Sequence, residues 1–220
     1  MLDAILQFGS FLKWITPALS GVLLLPILFL ILGRAAGSVA GKLSSGLDVV
    51  SSGALVVSRI AAVLIIVSQL LIIIGRYVFG WSASWLHETV IYSFAVIFLL
   101  AAPAALKADA HVRVDIFRGN MSGKTKAIVD LVGTYLLLFP VCMLILWTVA
   151  TSSSFAESWK SLEGSRESDG LPIYYLFRTL IPMFAVLMIV QGLSEAIKNA
   201  LIIRGLREPP EPHELEHGAA

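Results

Sequence analysis

Three short stretches of this sequence carry residue types that do chemistry in other settings. "HELEH", His213 to His217, sets two histidines four apart with a glutamate beside the first. On a rigid helix that spacing binds zinc while the glutamate activates water. Here it follows "PPEP" in a segment rich in proline and charge, with nothing to enclose it, and reads as part of a tail. "GNMSGKT", Gly119 to Thr125, resembles a phosphate-binding loop. Such a loop needs four residues between its glycines and a strand before them, so that successive amides wrap the phosphates. This one has three and no strand, and reads as a polar turn into a helix. The third stretch, "GRYVFGWSASWLHETV", Gly75 to Val90, gathers an arginine, two tryptophans, a histidine and a glutamate between two runs of hydrocarbon. Its meaning depends on where that connection lies.

The elements that must position these residues are membrane spans. Of 220 residues, 57% are hydrophobic and 14% charged, against roughly 25% charged in an ordinary soluble domain. Mean hydropathy is +0.86. The formal charge of +1 gives no basic field for nucleic acid. A spanning helix needs roughly 20 mostly apolar residues. Five stretches qualify: Trp14 to Gly33, Ala54 to Gly75, Thr89 to Leu106, Leu131 to Ala156 and Tyr174 to Ile197. The first has a run too long for a signal peptide and is expected to be a retained helix. Gly33, Gly37 and Gly41 are spaced for close helix contact, but fall where the chain leaves the membrane and predict a flexible exit loop.

Lysine and arginine set the orientation. Lys107, Arg113, Arg118, Lys124 and Lys126 lie between the third and fourth spans. The next loop, Thr151 to Pro172, holds only Lys160 and Arg166 against Glu157, Glu163, Glu167 and Asp169. The first loop is therefore expected inside and the second outside, with the C-terminus inside and the N-terminus outside. The predicted fold is an all-α integral membrane protein of five spans, a four-helix core plus one extra N-terminal helix, with a short interfacial segment between the second and third spans. Its parts are residues 1–53 (first helix and cytoplasmic linker), 54–203 (four-helix domain) and 204–220 (disordered tail).

This topology excludes several chemistries. Arg59, Arg178 and Glu195 sit near span ends, and no ionisable residue is stranded at mid-membrane. Proton pumps and ion-coupled carriers place acids there. Axial haem ligands would have to lie inside the bundle, whereas His87 and His111 are at span edges. The one cysteine, Cys142, forms no intrachain disulfide and is expected to be buried as a small hydrophobe. No catalytic residue, metal site or cofactor is predicted.

"RYVFGWSASWLHE" then becomes an outward connection. Arg76 ends one helix, where the dipole favours a cation, and Glu88 begins the next, where it favours an anion. Antiparallel neighbours bring these ends together, which predicts an Arg76–Glu88 pair. Trp81 and Trp85, four apart, fit one face of a short interfacial helix at the headgroups.

These residues also carry a family resemblance. Arg76, Tyr77 and Phe79, then Trp85 and Glu88, resemble the signature of the small membrane subunit of tripartite ATP-independent periplasmic (TRAP) transporters, the DctQ-like family. "ALKADAHVRVDIF" is similar to its second signature, with Lys107, His111 and Asp115 in place, and "GLPIYYLFRTLIPMF" to its third, with Pro172 and Pro182. His87 stands where the family often has an acid, and the extra N-terminal helix is outside its four-span core. The resemblance implies a non-enzymatic subunit of the bacterial inner membrane. It would hold a large membrane subunit, which carries solute with sodium, and help dock a periplasmic solute-binding protein. The long outward loop looks like the branch associated with mannitol, chloroaromatic or 2-oxo-acid uptake, which implies an organic acid or related solute. The alternative is a stand-alone membrane scaffold or assembly factor. His111 and Asp115 either cap the third span or contact the large subunit.

Overall fold

A computed structural model describes residues 21, 23–32, 37–108 and 121–208. Among them every regular element is helical: α1 (Leu25–Leu32), α2 (Gly37–Val78), α3 (Ser84–Lys107), α4 (Gly123–Thr151), α5 (Ser153–Lys160) and α6 (Tyr174–Ile203). Four of them, α2, α3, α4 and α6, are long and apolar enough to cross a membrane. Residues 14–20, 22 and 33 of the first expected span, His111, Asp115 and the "HELEH" histidines lie outside the described residues.

The bundle is built around α6. It touches every other helix, and 56% of its most apolar stretch is buried, against 17%, 22% and 11% for α2, α3 and α4. Its neighbours meet it through Ala185, Met188, Ile189, Leu193, Ile197 and Leu201, joined in the core by Ala40, Phe139 and Cys142. Cys142 is buried, as expected. Tyr92 of α3 stacks on Phe177 of α6, with ring centroids 4.7 Å apart.

The largest departure from the sequence reading is α2. The second span, expected over 54–75, is part of one 42-residue helix. At about 1.5 Å per residue it is about 63 Å long, twice the roughly 30 Å of hydrocarbon. It runs without a break across the expected boundary at residue 53. Gly37 and Gly41, assigned to an exit loop, lie inside it. Each glycine costs a helix roughly 1 kcal/mol relative to alanine, but tertiary packing outweighs that local preference. The packing is a seam of small residues: Ala40, Ser44, Ser51, Ala54, Ser58, Ala61, Ser68 and Gly75 are buried along one face. Small side chains bring helix backbones close where no hydrophobic force draws them together in lipid. The opposite ridge, Val49, Val56, Ile60, Val63, Val67, Leu70 and Ile74, is exposed.

In α4, Ser122 caps the first turn by accepting the Thr125 N–H, so the "GNMSGKT" turn does lead into a helix. Midway, Thr134–Leu138 widens to a π-helical turn just before Pro140. Proline has no N–H for the preceding turn, and a wider turn accommodates the mismatch. The widened turn packs on Gly192 of α6, where a Cβ would collide with Leu138 and come within 3.1 Å of Phe139. Pro182 sits inside α6 without breaking it.

Candidate functional site

Polar side chains concentrate at the two ends of the bundle. At one end the chain between α2 and α3 turns through Gly80, whose φ of +69° is a conformation that favours glycine. The Trp81 N–H donates to the Gly75 carbonyl (3.1 Å), and its indole covers Gly75, where a Cβ would lie 3.1 Å from the ring. Trp81 and Trp85 therefore do not share a short helix. Trp81 lies in the irregular link and Trp85 in the first turn of α3, because the left-handed turn at Gly80 interrupts the helix between them. Both rings remain partly exposed, and Tyr77 and Phe79 are more exposed still.

Glu88 does not pair with Arg76, which is exposed and makes no ion pair with any described residue. The expected Arg76–Glu88 pair is thus replaced by a loop contact. The Glu88 carboxylate accepts the Ser165 hydroxyl on one oxygen and the Leu171 N–H (2.6 Å) on the other. Both donors come from the segment 161–173 between α5 and α6, which folds back as a strap over the start of α3. The strap is closed on itself by Ser165 N–H to the Leu171 carbonyl (3.0 Å) and Tyr175 N–H to the Glu163 carbonyl (3.1 Å). Gly170 is required where it passes the carboxylate: a Cβ there would overlap Ser165 and lie 2.9 Å from Glu88 Oε1. Pro172 follows, on the exposed side.

A second acid fastens the strap. Helix α3 has no capping side chain of its own at Ala83. Instead the Ser84 N–H donates to Asp169 (2.8 Å), a cap supplied from the strap. The Ser84 backbone N–H, and then its hydroxyl, hold the exposed Asp169 carboxyl below the usual carboxylate range. Beside it, Arg178 at the start of α6 pairs with Glu163 (3.3 Å), donates to the Ser154 carbonyl (3.0 Å) and lies over the Tyr174 ring.

The opposite end is held by side chains between helices. Asp48 of α2 accepts Ser194 Oγ (2.6 Å) and Gln191 Nε2 (3.2 Å), and pairs with Lys198 (2.8 Å), all three on α6. Lys198 also reaches Glu195 (2.7 Å), and Ser51 donates to Gln191 Oε1 (2.5 Å). Lys107, at the end of α3, donates to Ser52 (2.9 Å) and the Asp48 carbonyl (3.3 Å). One cation, Lys198, thus meets both carboxylates, while Lys107 reaches a hydroxyl and a backbone carbonyl. The Lys198 and Asp48 side chains are only 12% and 17% exposed.

This cluster escaped the sequence reading, which assigned Asp48 to a linker. Its signal is nevertheless present. Ser44, Asp48 and Ser51 step by four and three, and Gln191, Ser194, Glu195 and Lys198 occupy positions i, i+3, i+4 and i+7. Each set is one helix face. Lys198 pairs with both acids, and among the described residues no group of His, Cys, Asp and Glu is arranged to hold a metal.

The fold and these two ends define a multi-pass helical membrane protein whose polar groups join its own helices and loops. A family comparison narrows the class: the model for "Tripartite ATP-independent periplasmic transporters, DctQ component" matches residues 63–201, more than half of the chain. The protein belongs to the DctQ family of TRAP transporter small membrane subunits. No curated protein and no solved structure matches it. The match takes in the strap, Glu88 and the α6 half of the Asp48–Lys198 cluster, while Asp48 and the first part of α2 precede it.

Proposed function

We propose that this chain is the small permease subunit of a sodium-coupled TRAP importer in the bacterial inner membrane. It stabilises the large membrane subunit and helps dock a periplasmic solute-binding protein during uptake of an organic acid or related solute. The family match over residues 63–201 is the observation that carries this reading. The bundle agrees with a supporting role. Asp48 and Lys198 join two of its helices at one end, and Glu88 holds its own strap at the other. A carrier builds its ion path from such groups inside the membrane.

The strap faces the periplasm in this reading. Lys124, Lys126, Arg204 and Arg207 cluster at the end that carries the Asp48–Lys198 pair, and the acidic strap lies at the other, as the lysine and arginine bias requires. In this reading residues 54–203 are the four-helix unit of the subunit, with the preceding helix adding a fifth span and residues 204–220 a cytoplasmic tail.

The test is purification of the chain from its native membrane in mild detergent, with mass spectrometry of what accompanies it. A much larger polytopic protein in near-equal amount is the expected result. A chain that emerges alone would overturn the importer reading in favour of a membrane scaffold.

A further inference from the structure

The exposed apolar faces of α2 and α4 are each as tall as a bilayer, yet they stand at different heights on the bundle. On α4 the exposed apolar side chains run from Ile128 to Trp147, with Lys124 and Thr125 exposed below them and Thr148 and Thr151 above. On α2 they are densest from Val56 to Val78, with the exposed Arg59 near one end and Tyr77 at the other. Toward Gly37 that face thins to Val39, Val49 and Val50 among exposed serines and Lys42. At about 1.5 Å per residue the bands are about 29 Å tall on α4 and about 33 Å on α2, close to the roughly 30 Å of hydrocarbon. Each has a cation at one edge and an aromatic ring at the other, which marks a bilayer boundary rather than a protein partner.

Helix α6 packs on both and provides a common scale, while α2 and α4 make no substantial contact with each other. The Ser51–Gln191 hydrogen bond sets the register of α2, and the approach of Leu138 and Phe139 to Gly192 sets that of α4. The middle of the α4 band, at Leu137, is therefore level with Gln191 and Gly192. The middle of the α2 band, at Val67, stands about 24 Å further toward the strap. The edges shift in the same sense. Tyr77 is about 26 Å nearer the strap end than Trp147, and Arg59 about 30 Å nearer than Lys126.

We propose that the bundle crosses the bilayer obliquely, its axis about 40° from the membrane normal, with lipid acyl chains covering the exposed faces of both α2 and α4. A helix with its side chains is about 10 Å across, so the outer faces of α2 and α4, on either side of α6, stand up to about 30 Å apart. A membrane plane that shifts by about 25 Å over that width is inclined by about 40°. The helix lengths agree independently. At that inclination α2 rises about 48 Å, near the roughly 40–45 Å of a bilayer with its headgroups, and α3, α4 and α6 rise about 28–34 Å. Upright, α4 and α6 would overshoot the hydrocarbon by about 15 Å and α2 by about 30 Å. Tilt is how an overlong helix meets a bilayer, and packing against its neighbours fixes the angle. This seating holds whether or not the chain serves an importer.

The test uses the full chain carrying Cys142→Ala, purified with whatever accompanies it and placed in phospholipid vesicles. Nitroxide labels are attached at Val49→Cys, Val67→Cys and Leu137→Cys, all exposed positions where a label leaves the packing intact. Depth is read from collision with oxygen, which concentrates in the bilayer core, against a water-soluble nickel complex. Val67→Cys and Leu137→Cys are expected to agree within about twofold in the oxygen-to-nickel ratio, both about tenfold above Val49→Cys. Val49 and Leu137 share a height on the bundle, so equal ratios at those two would overturn the proposal in favour of an upright bundle. Poor access of both reagents to Leu137→Cys would also overturn it, since a protein partner then covers that face. Neither of those results would touch the importer reading.

Discussion

The two ends of the bundle solve the same problem, fixing helix ends in place, with different chemistry. At the Asp48–Lys198 end, three side chains on one face of α6 meet an acid and a serine on α2, and opposite charges are paired directly. At the strap end, Glu88 accepts hydrogen bonds from the loop and Asp169 of the loop accepts one from α3, and among the described residues neither carboxylate pairs with a cation. The first arrangement binds two rigid helices in one register. The second binds a loop, whose backbone must be told where to lie. Buried ion pairs are costly to break because the remaining charge loses its partner, whereas a carboxylate that loses a hydrogen-bond donor near the surface gains water instead.

That difference predicts a ranking. Lys198→Met leaves both Asp48 and Glu195 without their cation and should cost the bundle roughly 3 kcal/mol in detergent unfolding. The double variant with Asp48→Asn should recover a clear part of the loss; a double variant as unstable as the single one would show that the pair is not the source. Next comes Gly192→Val, which forces a branched side chain into Leu138 and Phe139 at the widened turn of α4, at a cost of about 1–3 kcal/mol by the same unfolding measurement. A neutral effect there would mean that the π turn yields easily.

At the strap end, Glu88→Ala should cost about 1–2 kcal/mol, since two donors lose their acceptor, while Arg76→Ala should stay within about 0.5 kcal/mol. Equal losses from the two would restore the direct pair that the loop contact replaces. The smallest effect belongs to Asp169, and it is read as pH dependence. Its carboxyl is held below the ordinary value of 3.8, so its contribution is complete above about that pH and is lost as pH falls through the lower folded-state value. Protection of the Ser84 amide from hydrogen exchange should therefore persist to below pH 4 and then fall. With Asp169→Asn that acid step should vanish; an unchanged step would assign it to another group.

The sequence announced its spans because hydrocarbon is a blunt selector. Any run of about 20 apolar residues reveals itself without knowledge of its neighbours. The spans expected at 89–106 and 174–197 fall within Ser84–Lys107 and Tyr174–Ile203, and Leu131 to Ala156 overlaps Gly123–Thr151. The family signatures were legible for a related reason, since residue types at fixed short spacings survive in one dimension. Where the reading failed, polarity had been equated with exposure. Ser44, Asp48 and Ser51 looked like a cytoplasmic linker until the facing side chains of α6, some 140–150 residues away, satisfied them.

The same limit governed the pairing of Arg76 and Glu88. Helix dipoles and antiparallel packing bring the two ends near each other, and that much follows from sequence. Which partner Glu88 takes is a matter of competition among donors, and the strap delivers a hydroxyl and an N–H from 77 and 83 residues away. The sequence by itself determined that this chain lives in a membrane, where its helices run and to which family it is similar. Only the tertiary structure decided how far α2 extends, why Gly170 and Gly192 must be glycine, and which groups neutralise its acids. Solvent preference is a property of each segment alone, whereas hydrogen-bond and charge partners are properties of pairs that only folding brings together.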